Sequence, residues 1–453
     1  MNKNILLIPF AFLLAFNLTA QNWIIQSIGN EYYCRDASIA VDVQNIPHIA
    51  YTTYHDTLLK YAKPLGNTWE CQFVDSNALI LKICLDAHNY PHIAYLAFKG
   101  LLYYVRYAYW NGSVWQIIPI DSFSGNMLGF ERQRNLDMAL SQEDIPYISY
   151  PFTNIIKNDT ICQVRCAYKR SNTWVIDTIW KKAPLESKIP YHTRIAFDIN
   201  NVPYVAFNLY RGTTYTWLNC ARYNGSTWDI VADRTFTDRL KIYGFKVDNI
   251  DRIHLVYYRN ANLGVYYALI KNNIWTIELV AGSGLLENLG DLALYHNQPH
   301  IVISAIQSVP RYFYKINNTW QSEIIAFDDM LSPSLFIDNI GNPHISFLWW
   351  GFALAYARRT ASGIEPQNRY PLLADRIPLK IYSNPATSVI CVRAPFSVDK
   401  VTIYDVTGKI VKEMLNQIQH DNTVQISLDG IKNGVYFVKV NDVMVKEKLV
   451  VTK

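Results

Sequence analysis

The sequence predicts an all-β protein: a seven-bladed β-propeller whose N-terminal strand closes the last blade, followed by a small β-sandwich domain. Three observations predict it. A Pro-His-Ile step or a close variant recurs seven times, at Pro47, Pro91, Pro146, Pro203, Pro299 and Pro343, with Ile253-His254-Leu255 in the remaining copy. A tryptophan also recurs seven times, at Trp23, Trp69, Trp115, Trp174, Trp228, Trp275 and Trp320, with spacings of 45 to 59 residues by subtraction. The two series are offset, because Trp23 precedes every Pro step and no tryptophan of the series follows the step at Pro343. A period of about 45 residues holding four short strands is that of a propeller blade.

The bulk composition agrees. A chain of 453 residues exceeds one ordinary compact domain unless repeats build it. Its 32 tyrosines and 12 tryptophans favour strands. The formal net charge is only +5, and no Lys/Arg run tracks a phosphate backbone, so nucleic acid is not expected as a partner.

At the N-terminus, Lys3, the apolar run Ile5 to Phe16 and Leu18-Thr19-Ala20 read as a signal peptide over 1–20, cut before Gln21. The apolar run falls short of the ~20 residues that span a bilayer. No transmembrane segment is expected after cleavage.

The propeller is expected over 21–358. Each copy opens with an apolar strand such as Ile39 to Val41, then a tight turn. Proline starts the second strand, where its missing N–H costs nothing. The third strand carries a Tyr-Ala pair, as at Tyr61-Ala62 and Tyr107-Ala108. A second turn such as Asn111-Gly112-Ser113 leads to a fourth strand near the tryptophan. The last copy lacks that fourth strand, and 22–28 is expected to supply it, removing open sheet edges.

His48, His92, His254, His300 and His344 occupy one equivalent position, which Tyr147 and Tyr204 take in the other two copies. A residue placed once per repeat belongs to the repeat's construction, so no metal and no cofactor are expected. Asp42, Asp86, Asp198, Asp248 and Asp338 read as partners of turn amides. The odd count of seven cysteines shows no disulfide framework. Cys166 and Cys220 stand where other copies carry tyrosine and are read as buried core thiols.

Residues 359–378 read as a linker, and 379–453 as a separate β-sandwich of short alternating strands. There Tyr382-Ser383-Asn384-Pro385, Ile403 to Lys409, Asn433-Gly434-Val435-Tyr436 and Lys448 to Lys453 follow in order. Their order and spacing resemble the type A C-terminal sorting domain of type IX secretion cargo. Asn384, Pro385, Gly408, Lys409, Gly434, Tyr436 and Lys453 carry the resemblance. It implies the type IX machinery as partner, export across the outer membrane, and release into the medium or attachment at the cell surface.

Binding or catalysis is expected where the repeats differ, on the connections 121–135 and 181–194 and on the loops beside them. The candidate ligand-binding residues are Arg134, Arg194, Arg211, Arg239, Arg259, Trp349 and Trp350. Guanidinium groups pair with carboxylates in a bidentate way, and aromatic rings suit sugar faces. No catalytic signature is found, so a non-catalytic module that binds a glycan or a surface protein is the favoured reading. The alternative is a carbohydrate-active enzyme. A polysaccharide lyase would use Tyr191 or His192 as base and Arg194 to neutralise a uronate carboxylate. A sialidase-like hydrolase is disfavoured, because Asn224 to Trp228 only partly echoes the Ser-x-Asp-x-Gly-x-Thr-Trp box. A structural or adhesive role with no small ligand also stays open. The repeats resemble sialidase-like and lectin propellers in fold only.

Overall fold

The computed structural model describes residues 23–452 apart from 30–32, 67, 125–134, 157–158, 172, 213–214, 262, 283–285, 307, 327–329, 350–352, 360–379, 383–384, 394–399, 416–422, 441–442 and 445–447. The chain divides into two compact units, 1–364 and 365–453. Every regular element among the described residues is a strand.

The first unit holds seven four-stranded antiparallel sheets. Six are runs of four consecutive strands, within 34–75, 78–123, 137–181, 189–236, 240–281 and 286–324. The seventh combines Leu331–Ile337, Pro343–Trp349 and Ala353–Arg359 with the N-terminal strand Trp23–Ser27. Trp23 pairs with Arg359 and Ser27 with Ala355 in that last ladder. Six of the seven proline steps stand at or next to the start of their sheet's second strand, and Ile253 starts the remaining one.

The turn between first and second strands is the same small device in six of the seven sheets. In the first, the Asp42 N–H donates to Ile46 O and the Asn45 N–H to Asp42 O. Asp42 Oδ1 accepts from the Gln44 and Ile46 amides at 2.9 and 2.8 Å. In those six the fourth residue takes a positive φ: Asn45, Asn89, Asp144, Asn201, Asp251 and Gly341; the sixth sheet turns on two residues, His296 and Asn297, both at positive φ. Asn, Asp and Gly tolerate that conformation best, which is why the sequence varies at that fourth position only among them.

The repeated histidines anchor this turn to the sheet. His48, His92, His254 and His344 place Nε2 3.1–3.4 Å from the turn aspartate of their own sheet. Their Nδ1 atoms accept from Tyr61, Tyr107, Tyr267 and Tyr356 at 2.5–2.7 Å. Each of those tyrosines, and Tyr312 in the sixth sheet, packs edge-on against the repeat tryptophan of the next sheet, with ring centroids 5.3–5.6 Å apart. Tyr312 meets Trp23 in this way, and Tyr356 meets Trp69.

A second interlock runs along the first strands. Ser38, Lys82, Asp137, Arg194, Gly244, Asp291 and Ser334 share one position, four residues before the turn. Ser38, Asp137, Asp291 and Ser334 accept the N–H of Ile83, Ile195, Leu335 and Ile39, each on the next sheet, at 3.0–3.4 Å. Arg194 reverses the polarity, donating to Tyr243 O and Ile242 O at 3.1 and 3.2 Å. At Gly244 a Cβ would lie 2.3 Å from Leu292 Cβ, so only glycine lets the fifth and sixth sheets approach. The Ser334–Ile39 bond joins the seventh sheet to the first, where Ile28, Ile39, Tyr51, Leu348, Leu354 and Tyr356 form a common core.

The second unit has a three-stranded sheet (Lys380–Tyr382, Val389–Arg393, Thr423–Ser427) and a second sheet built on Lys400–Tyr404, Ile410–Leu415 and Gly434–Val440. They bury Ile390, Val392, Val401, Ile403, Ile426 and Val438 between them. Asp405 caps a turn like those of the first unit, accepting from the Thr407 and Lys409 amides, with Gly408 at φ 84°.

Candidate functional site

In six sheets the register between first and second strands shifts near the start of the first strand, for example between Cys34 and Asp36 and between Pro190 and Thr193. Such bulges re-aim side chains. In the fourth sheet the bulge carries Tyr191 and His192, and it lies at the loop end of the strand Ile189–Phe197.

His192 is buried. Its backbone N–H donates to Asn208 Oδ1 at 2.7 Å, and Asn208 Nδ2 stands 3.3 Å from its Nδ1. The same Nδ2 donates to Leu240 O of the fifth sheet at 2.7 Å, and the Tyr210 hydroxyl donates to that carbonyl too. Burial first, then the Arg194 and Lys241 charges, hold the imidazole well below its usual pKa.

Arg194 is also buried, and beyond its two bonds to the fifth sheet it donates to Thr193 O at 2.8 Å. It lines two clefts along the first strands. One is narrow and lined by His192, Lys241, Ile242, Tyr243, Leu289 and Gly290. The other is lined by Lys82, Asp137, Lys246 and Asp291 among others. Among the described residues no group of three or more His, Cys, Asp or Glu is placed to hold a metal ion.

The other candidates separate. Arg259 pairs with Asp238 through Nη2 at 2.9 Å, with Nε 3.3 Å from both carboxylate oxygens. Trp349 is buried against Phe347. Arg134, Trp350, Asn384 and Lys453 lie outside the described residues. Arg211 and Arg239 are exposed at the loop end of the fourth sheet and the start of the fifth. The Arg239 guanidinium lies 5.7 Å from the Tyr210 ring centroid, and Tyr210 packs on Tyr191 at 4.9 Å. Thus Tyr191 and Arg239 come together around Tyr210, Arg211 follows Tyr210 in the chain, and His192 and Arg194 are buried.

Three further residues join this loop end. Arg211 pairs in register with Tyr215, and Leu209 with Trp217. Lys188 Nζ sits 4.6 Å from the Trp217 ring centroid. Trp217 packs against the core shared by the third and fourth sheets, whereas Tyr210 faces the fifth. The fourth sheet therefore carries an aromatic ring under a cation on each face. The signal for Trp217 lay in the sequence: it is one of five tryptophans outside the once-per-repeat series.

In the second unit, Pro385 is described, Tyr436 is buried with its hydroxyl donating to Lys432 O at 2.8 Å, and Gly434 opens the strand that pairs with Leu449–Val451. The family described as "Secretion system C-terminal sorting domain" matches residues 380–452. The C-terminal unit is such a sorting domain. It marks the protein for handling by the type IX secretion machinery and for export to the cell surface or the medium.

A comparison with curated protein sequences gives no match. Solved structures similar to the chain include the polysaccharide lyase Uly1, at 10% identity and a TM-score of 0.46 over 74% of this chain and 92% of that one. The GH93 α-L-arabinofuranosidase of Fusarium graminearum has 11% identity and a TM-score of 0.41 over 74% and 96%. A protein of unknown function from Dyadobacter fermentans has 11% identity and a TM-score of 0.43 over 75% and 98%. Likenesses this distant assign no substrate to the sorting domain's cargo.

Proposed function

We propose that the cargo is a closed seven-bladed propeller that binds a saccharide at its loop end without cleaving it. The reading takes 1–20 as signal peptide, 21–358 as propeller, with Trp23–Ser27 as the fourth strand of the last blade, and 359–378 as linker to the sorting domain. The Ser334–Ile39 bond and the Tyr356–Trp69 contact support closure, since both tie the seventh sheet to the first.

One observation carries the binding reading. The loop end presents aromatic rings and cations to solvent, while the two groups a lyase would need are bonded inward. Tyr33, Tyr54 and Tyr215 are 56%, 51% and 42% exposed. Rings of that kind lie flat against sugar faces and give up little conformational entropy on binding. Arg194 is engaged by three backbone carbonyls, and His192 is buried, with its backbone N–H held by Asn208. A general base must reach the proton it removes, and the burial of His192 works against that.

The test is a glycan array on the full chain, run beside an assay for unsaturated uronate. Binding without turnover is the expected result. Turnover that disappears in His192→Ala, with the melting temperature of the variant intact, would replace this reading with the lyase.

A further inference from the structure

We infer that the ligand is an acidic saccharide, and that Arg211 and Arg239 read its charges at the loop end of the fourth sheet. This rests on the saccharide-binding reading above and adds the chemistry of the ligand.

The charge balance there is lopsided. The segments 181–191, 210–215 and 237–241 carry Lys181, Lys182, Lys188, Arg211, Arg239 and Lys241 against two carboxylates, Glu186 and Asp238. Both carboxylates are engaged: Glu186 by Lys188 at 2.7 Å, and Asp238 by Arg259. Among the described residues no carboxylate pairs with Arg211 or Arg239. These segments carry six cations against two carboxylates, in a chain whose net charge is only +5.

The cations are also held in place. Lys188 rests over Trp217 and Arg239 over Tyr210, one on each face of the sheet. A cation over an aromatic face keeps its charge while losing part of its freedom, so less order is lost when an anion arrives. Arg211 stands at the hairpin end, in register with the exposed ring of Tyr215. Carboxylates or sulfates spaced along a sugar chain match such an arrangement, with the sugar rings on the aromatics and the anions on the cations. A single-stranded nucleic acid shares stacking and charge, but the sorting domain sends this protein outside the cell, where polysaccharides predominate.

The experiment uses the full chain and an array of matched pairs, each acidic polysaccharide beside its neutral form: polygalacturonate with its methyl ester, and dextran sulfate with dextran. Hits confined to the acidic members are expected. Affinity should fall about tenfold between low and physiological salt. Arg211→Gln combined with Arg239→Gln should weaken binding at least about tenfold at an unchanged melting temperature, since both side chains are exposed. Tyr215→Ala should weaken acidic and neutral members alike. Equal binding to both members of every pair would overturn the charge inference and leave saccharide binding standing. No binding to any pair would remove both. Tighter binding to a single-stranded oligonucleotide than to every acidic saccharide would overturn the choice of ligand.

Discussion

Histidine is the residue that ties this fold to pH. Burial lowers the pKa of His48, His92, His254 and His344 below the usual 6.5, against the raising effect of their aspartate partners. His300 has Tyr295 where the others have a turn aspartate, and burial with the Arg359 charge pushes it down to about 4. A folded-state pKa below the unfolded value means that the folded state prefers the neutral ring. The stability this contributes is complete above about pH 6.5 and is lost as pH falls toward 4. Melting temperature should therefore drop between pH 6.5 and 4.5, and His300→Gln should flatten part of that slope, worth roughly 2 kcal/mol. A slope unchanged by the substitution would count against this assignment. Arg194 makes a second prediction at this scale. Arg194→Met leaves the carbonyls of Ile242 and Tyr243 without a donor, and should cost about 2–3 kcal/mol by denaturant titration. A stable variant that has lost ligand binding would instead place Arg194 in the site.

At the scale of elements, the turn between first and second strands shows what was legible. Its aspartate, its positive-φ Asn or Gly and the following proline all stand in the sequence, because each answers a local backbone need. Gly341 has φ 89°, and a Cβ there would meet the Tyr295 ring at 2.9 Å. Gly341→Ala should cost about 1–2 kcal/mol, whereas Gly66→Ala, with the same sign of φ and open space around it, should cost the smaller end of that range. The last copy of the repeat has no fourth strand of its own, and Trp23–Ser27 pairs with Ala353–Arg359. Trp23→Ala should remove the contact with Tyr312 and cost about 3–5 kcal/mol. The shared position of Ser38, Asp137, Arg194 and Gly244 was not legible as an interlock, because each copy solves it with different chemistry: an acceptor, a donor, or no side chain at all. The same reason hid the environment of Arg194. In the sequence it is one more loop-end arginine, and only the neighbouring sheet's carbonyls show where its donors go. Trp217 was overlooked because strand alternation alone does not tell an inward ring from one offered to a ligand.

At the scale of the whole molecule, the export signal and the proposed saccharide binding fall in different units. The sorting domain buries its own core of Ile390, Val392, Ile403, Ile426 and Val438. The first unit buries separate cores in and between its sheets and needs none of those residues. Aspartate-capped turns occur in both units because the same chain chemistry closes a tight turn wherever two strands need one. Two units with independent cores unfold independently unless they share an interface. Deleting 365–453 should therefore leave the melting transition of the first unit within a few degrees of its value in the full chain. Saccharide binding by the purified truncated protein should be unchanged. Export should stop, and cell fractionation should find the truncated chain inside the outer membrane while the full chain reaches the surface or the medium. Truncated protein that still appears in the medium, with a cytoplasmic marker retained, would show that a second export signal lies within 1–364. Truncated protein that no longer melts cooperatively would show that the sorting domain also supports the fold it carries, and the division of labour drawn here would have to be abandoned.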